Sequence, residues 1–228
     1  MLKIVICAIV LTLAGAAPAT AGAAKAPIHP EDCRAPKDGR VEAADLGTTQ
    51  CFPSPDGRKL AIVRGGRITI DDGGKVVSVG VMDNGRLVWN PASTGFAVAD
   101  SGGSGQTNYF SYVDLRPSPP RRIKALRLAA VKAYVRRFKC NGPGVYIHAW
   151  FDGWQDAKLV RLVVMEGVHS EGCVHPDVEE IQIGVIGDPV TGRIDQVLSE
   201  AEAQRTWCTA AQRREYGFCY VKSGITSP

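Results

Sequence analysis

His169, Glu171, Cys173 and His175 alternate in the stretch "HSEGCVH" (169–175). On an extended strand all four side chains would project to one side. Imidazole, carboxylate and thiolate are the donors that hold zinc or copper. Two features point elsewhere. Gly172 and Pro176 favour a loop, and a cysteine outside the cell is a disulfide half before it is a thiolate. The segment therefore reads as a disulfide-pinned loop with solvated histidines. His169, Glu171 and His175 are the residual metal set, and no cofactor is expected.

The other chemistry-bearing stretches are sparse. "SGGSG" (101–105) sits between two strand patterns rather than before a helix, so it reads as a hairpin loop and not a phosphate cradle. A nucleophile elbow, a P-loop and a dinucleotide fingerprint are absent from the sequence. Trp150, Phe151 and Trp154 form an aromatic cluster, which serves packing in a strand-rich chain and binding when it lies on a loop. From Leu115 to Phe151 there is no Asp or Glu, whereas Arg116, Arg121, Arg122, Lys124, Arg127, Lys132, Arg136, Arg137 and Lys139 all fall there. From Asp152 to Gln204 acids outnumber bases. The two stretches can neutralise each other within one fold, or the basic one can meet an acidic partner. Lys132, Arg136, Arg137, Trp150 and Trp154 are thus the candidate binding residues. A formal net charge of +4 is too small to imply nucleic acid.

Compartment follows from the N-terminus and the cysteines. "MLK" followed by "IVICAIVLTLAGAA" and Ala19-Thr20-Ala21 has the basic, apolar and small-residue order of a cleaved export signal over residues 1–21. Nothing later is apolar for long enough to span a bilayer. Cys7 leaves with the signal. Cys33, Cys51, Cys140, Cys173, Cys208 and Cys219 remain, an even set with no CxxC spacing, and read as disulfides. Cys140–Cys173 is the favoured pairing, with Cys33–Cys51 and Cys208–Cys219 following by locality. The chain is expected to be exported, periplasmic or secreted, with no membrane span.

The elements that must position these residues show a repeat. "SPDGRKLAI" (54–62) aligns without a gap on "NPASTGFAV" (90–98). Pro presets φ for the first turn position, and Asp-Gly or Ser-Thr-Gly closes the turn between two strands. Asp72-Gly73-Gly74 and Asp83-Asn84-Gly85 mark further hairpins. A repeat of roughly 40 residues carrying four short strands is the pattern of a propeller blade. The "F-x-S-P-D-G-x-x-L-A" turn resembles the WD40-like repeat of TolB-type β-propellers, strongly at 51–62 and more loosely across 45–198. A third copy is expected at "AWFDGWQDAKLVRLVV" (149–164), with Trp150 near the position of Trp89 and Asp152-Gly153 as the turn. The resemblance implies a scaffold and no catalytic residues.

The expected fold is mainly β, with partial, open propeller-like antiparallel sheets, one inserted helix and one C-terminal helix. After the signal and an extended segment (22–44), one domain (45–228) carries blade-like repeats near 51–86, 87–122 and 145–198. A closed propeller needs about four blades or more, so sheet edges here need covering. Residues 123–139 are free of Gly and Pro and are expected to form a helix with Leu128, Val131, Val135 and Phe138 on its apolar face. "SEAE" from Ser199 is a capping box, opening a helix over 200–216 that stops at Gly217, before a strand over 218–223. The function this supports is a non-enzymatic exported binding protein whose partner is another protein or an envelope component. An inhibitor or immunity protein against a secreted or cell-wall-acting enzyme, and a hydrolase with an unrecognised site, are the alternatives.

Overall fold

The computed structural model describes residues 33–34, 36, 39–41, 47–100, 109–167, 170, 172–175, 181–208 and 218–219. The described chain is mainly β and open. Neither of its two sheets closes on itself.

The first sheet is a four-stranded antiparallel meander: β2 (Gln50–Pro53), β3 (Lys59–Arg64), β4 (Arg67–Asp72) and β5 (Lys75–Val81). The second sheet opens with β1 (Arg40–Val41), which pairs antiparallel with β6 (Gly85–Trp89). Next come β7 (Gly95–Asp100), β8 (Tyr109–Asp114) and β9 (Arg121–Ile123), each pairing with the strand before it. After helix α1 (Ala125–Arg137) a third meander follows: β10 (Ile147–Trp154), β11 (Val160–Glu166), β12 (Gln182–Gly187) and β13 (Ile194–Ser199). It joins the second sheet where Ala149 of β10 meets Tyr109 of β8, a parallel contact between strands that otherwise pair antiparallel. Helix α2 (Glu200–Trp207) closes the described order of elements.

The aligned stretches 54–62 and 90–98 form matching turns, with Ser54 N–H donating to Lys59 O and Asn90 N–H to Gly95 O, and a turn one residue shorter closes with Gln155 N–H on Leu159 O, each at 2.9 Å. Inside each loop side-chain oxygens accept backbone donors, Asp56 from Arg58 and Ser54 from Lys59 in the first, Asn90 from Thr94 and Gly95 in the second, and Asp156 from Lys158 and Leu159 in the third. These short polar side chains supply a local substitute for ladder bonds, which is why they occupy turns. The third turn is therefore not at Asp152-Gly153. Those residues lie inside β10 at a β-bulge, where Asp152 pairs with Arg161 at 3.0 Å, and Trp154 rather than Trp150 takes the place of Trp89. The Asp-Gly pair marks a bulge instead of a hairpin because a glycine is needed where Arg161 crosses. A Cβ on Gly153 would lie 2.7 Å from its guanidinium.

Three bodies of core hold the meanders. Ala61, Val63, Ile68 and Ile70 of the first pack on Leu87, Trp89, Phe96 and Val98 of the second. Phe110 and Tyr112 of the second meet Phe151, Leu162 and Val185 of the third, with α1 wedged among them. On the far face of the third meander, Ala203 and Trp207 of α2 cover Val163 and Ile186. Each such fully buried Leu, Ile or Phe contributes about 1.5–3 kcal/mol. Gly184 makes the last contact possible, since a Cβ there would stand 2.6 Å from the Trp207 ring.

Both helices differ in part from their sequence patterns. α1 buries Leu126, Ala130 and Tyr134, followed by Phe138 just beyond its end, and leaves Leu128 53% exposed. Val131 and Val135 are half-buried flanks. Ile123, the first residue of the expected helix, is instead the last residue of strand β9, and α1 starts at Ala125. The face is rotated because Ala130 lets the helix approach the sheet and because the Tyr134 hydroxyl finds backbone partners there. It donates to Ile181 O at 2.9 Å and accepts the Glu166 N–H at 3.2 Å. α2 has the expected capping box, with the Glu202 N–H on Ser199 Oγ at 3.3 Å and the Ser199 N–H on Glu202 Oε2 at 2.9 Å. It ends at Trp207, because Cys208 is extended (φ −92°, ψ 121°) rather than helical. Residues 209–217, the rest of the expected helix, lie outside the described residues. Phe218 and Cys219 form a turn instead of opening a strand, and 220–223 again lie outside.

Three disulfides, Cys33–Cys51, Cys140–Cys173 and Cys208–Cys219, fit an oxidising, exported environment. The first ties the N-terminal segment to β2, where Arg34 also bridges to Gln50. The second ties the chain after α1 to the loop that follows β11. Among the described residues no helix is long and apolar enough to cross a membrane.

Candidate functional site

α1 is the only inserted element between two meanders among the described residues, and its solvent face carries the basic segment. Lys124, Leu128, Lys132 and Arg136 recur every fourth residue, so they form one ridge, opposite the buried row. All four are exposed, and none of the three cations takes part in an ion pair among the described residues. Arg137 lies off this ridge. It covers the Phe138 ring at 6.0 Å and faces α2. There Glu202, whose carboxyl is held low chiefly by the Ser199 N–H and hydroxyl, also feels Arg205 and Arg137.

Among the described residues, local ion pairs join Arg116 with Asp114 at 2.8 Å, Arg161 with Asp152, and Arg193 with Asp195 at 2.9 Å. Burial raises the Asp152 carboxyl, against the pull of Arg161 and Arg86. Lys124, Lys132 and Arg136 are exposed and form no ion pair with the described residues.

Below the start of α1 lies a cleft of about 340 Å³ between β5, β8 and β9, lined by Val81, Asp100, Tyr109, Phe110, Ser111, Arg122, Lys124 and Arg127. Arg122 on β9 forms its back wall. Its Nε donates to Ser111 Oγ at 2.8 Å and its Nη1 to Val81 O at 2.7 Å. Gly80 makes that reach possible, as a Cβ there would stand 2.9 Å from the same Nη1. Burial, with Arg127 adding to it, pulls the guanidinium below its ordinary range while Asp100 opposes the shift; it stays a cation at neutral pH. Arg127 lies over the Tyr109 ring at 5.1 Å. The arrangement can hold an anion against an aromatic wall. Sequence reasoning missed Arg122, Tyr109 and Arg127 because the cleft is assembled from five elements, with Asp100 contributed by β7. The only trace was the run of bases without acids.

The residues singled out from sequence are scattered. Trp150 lies opposite Val163, on the face that α2 covers, whereas Trp154 packs edge-on to Tyr112 and Phe151 at 6.0 and 5.9 Å on the α1 side. They form no common platform. His169 and Glu171 lie outside the described residues. Cys173 is bonded to Cys140, and His175 pairs through Nε2 with Glu166 at 3.0 Å beneath the Phe138 ring. Residues 172–175 are not a strand, so the alternation does not place their side chains on one face of a sheet. His148, whose imidazole is kept below its usual pKa by burial, sits elsewhere, against Gly167. Among the described residues no group of three His, Cys, Asp or Glu side chains is placed to hold a metal.

No protein-family model matches the chain, and no curated protein matches it in sequence. Among solved structures it is similar to hydrazine synthase of Kuenenia stuttgartiensis, at 15% identity and a TM-score of 0.30, over 73% of this chain and 51% of that one. The chain thus spans about half the length of that protein, and a likeness at this level assigns neither fold nor activity.

Proposed function

We propose that this chain is a non-enzymatic exported binding protein, periplasmic or secreted, built on a partial TolB/WD40-like propeller scaffold. It engages an acidic protein or envelope component through the outer ridge of α1. The observation that carries this reading is Leu128, a large apolar side chain 53% exposed in a row with Lys124, Lys132 and Arg136. An apolar anchor ringed by cations suits a partner that buries a small contact under an acidic rim, with charge setting the encounter rate and the anchor the lifetime. The two matching turns at Ser54 and Asn90, with the shorter one at Gln155, support the scaffold. The disulfides support the compartment.

The test is capture from envelope extracts by the disulfide-bonded protein, with mass spectrometry of what binds. Lys132→Glu with Arg136→Glu, and separately Leu128→Ser, should abolish capture of one acidic species and change thermal stability little, because surface substitutions shift stability by roughly 0.5 kcal/mol or less. A capture profile identical in all three proteins would reject the ridge as the binding surface.

A further inference from the structure

We propose that the cleft between β5, β7, β8, β9 and the start of α1 is a second binding site, sharing only Lys124 with the ridge, and that it takes a small organic anion: a carboxylate carried on an apolar or aromatic body.

Size comes first. About 340 Å³ lies at the lower end of small-molecule sites and is too small for a folded partner. Charge comes second. Arg122, Lys124 and Arg127 converge on it with Asp100 as the opposing carboxylate. Lys124 and Arg127 form no ion pair among the described residues. The first turn of α1 contains no acid and its N-cap makes no side-chain cap, so the helix does not itself supply the negative charge that this end favours. Walls come third. Val81 and Tyr109 are 61% and 47% exposed, and with Phe110 they give apolar surface beside the cations. A bare inorganic ion would leave that surface wet.

Arg122, Lys124 and Arg127 outnumber Asp100, so an anion meets net attraction, and the Asp100 carboxylate reduces what a dianion gains over a monoanion. Arg122 is already oriented by Ser111 and Val81, so its remaining N–H groups are preorganised for a carboxylate rather than recruited at the moment of binding.

Calorimetric titration of the intact, disulfide-bonded protein with benzoate, benzamide, phenylphosphonate and inorganic phosphate tests this. Benzoate should bind saturably and about tenfold or more tightly than benzamide, the loss expected when a charge-assisted bond becomes a neutral one. Arg127→Gln should weaken benzoate severalfold with the melting temperature unchanged. Asp100→Asn should raise the affinity for phenylphosphonate relative to benzoate. Arg122→Met also breaks the tie between β5 and β8, so Arg127→Gln is the deciding variant. Equal binding of benzoate and benzamide, phosphate matching benzoate, or an Arg127→Gln titration identical to wild type would overturn the proposal. Lys132→Glu with Arg136→Glu lies outside the cleft and should leave benzoate binding intact, so failure here and failure of partner capture are read separately.

Discussion

The two junctions between meanders are built differently. At the first, strands touch strands: the Trp89 indole N–H donates to Phe52 O at 2.9 Å, the Asp56 N–H donates to Ser93 Oγ at 3.1 Å, and the core between them contains no helix residue. At the second, β8 and β10 meet within one sheet at Tyr109 and Ala149, and α1 packs over the join, where Leu126, Ala130, Tyr134 and Phe138 fill the core. The Phe110 and Phe151 rings stack across it at 6.0 Å. α1 brings a solvent face to the second junction. Lys124, Lys132 and Arg136, without an ion pair among the described residues, lie along it, and the cleft lies where α1 starts.

If that contrast is right, the second junction should depend most on single large side chains from the helix segment. Phe138→Ala removes a fully buried ring that contacts both Tyr134 and His175, and should cost about 3–5 kcal/mol in urea unfolding. A loss below about 1 kcal/mol would mean that α1 decorates the junction rather than filling it. Next come two matched changes, each deleting one polar atom. Trp89→Phe strands the Phe52 carbonyl at the first junction, and Tyr134→Phe strands the Glu166 N–H and the Ile181 carbonyl at the second. Each should cost about 1–3 kcal/mol, with Tyr134→Phe the larger because two groups lose their partner. The reverse order would put the greater polar dependence at the strand-only junction.

The smallest effect concerns acid. Asp114 closes β8 beside Leu115, which packs on the first core. Burial raises its carboxyl, but the Arg116 side chain and backbone N–H outweigh burial and hold it below the ordinary aspartate range. A depressed carboxyl adds stability above its unfolded pKa of about 3.9 and loses it as pH falls through the lower folded value. Denaturation midpoints should thus decline below about pH 4, and Asp114→Asn should flatten that decline while lowering the plateau above it. An acid limb unchanged by Asp114→Asn would place the sensitivity elsewhere.

Local rules written in a few adjacent residues were legible in the sequence. The Ser54 and Asn90 turns, the Ser199–Glu202 capping box and the existence of a helix after Ile123 each follow from side chains that satisfy nearby backbone groups. The alternation of strands and turns was legible for the same reason. The export signal remains a reading of residues 1–21, which lie outside the described residues.

What the sequence left open depended on neighbours distant along the chain. Asp152-Gly153 has the composition of a turn, yet Arg161 on the next strand makes it a bulge. Leu128 has the periodicity of a core residue, yet the sheet beneath α1 accepts the row containing Ala130 and Tyr134, because a tyrosine hydroxyl there meets a free carbonyl and a free N–H. The anion cleft joins Val81, Tyr109, Arg122 and Arg127 from four elements, and only the packing of β5 against β9 brings Arg122 to the Val81 carbonyl. Short-range hydrogen bonding is encoded within a few residues. The choice of buried face and the assembly of charge are settled by which surfaces meet, and that is a property of the folded chain.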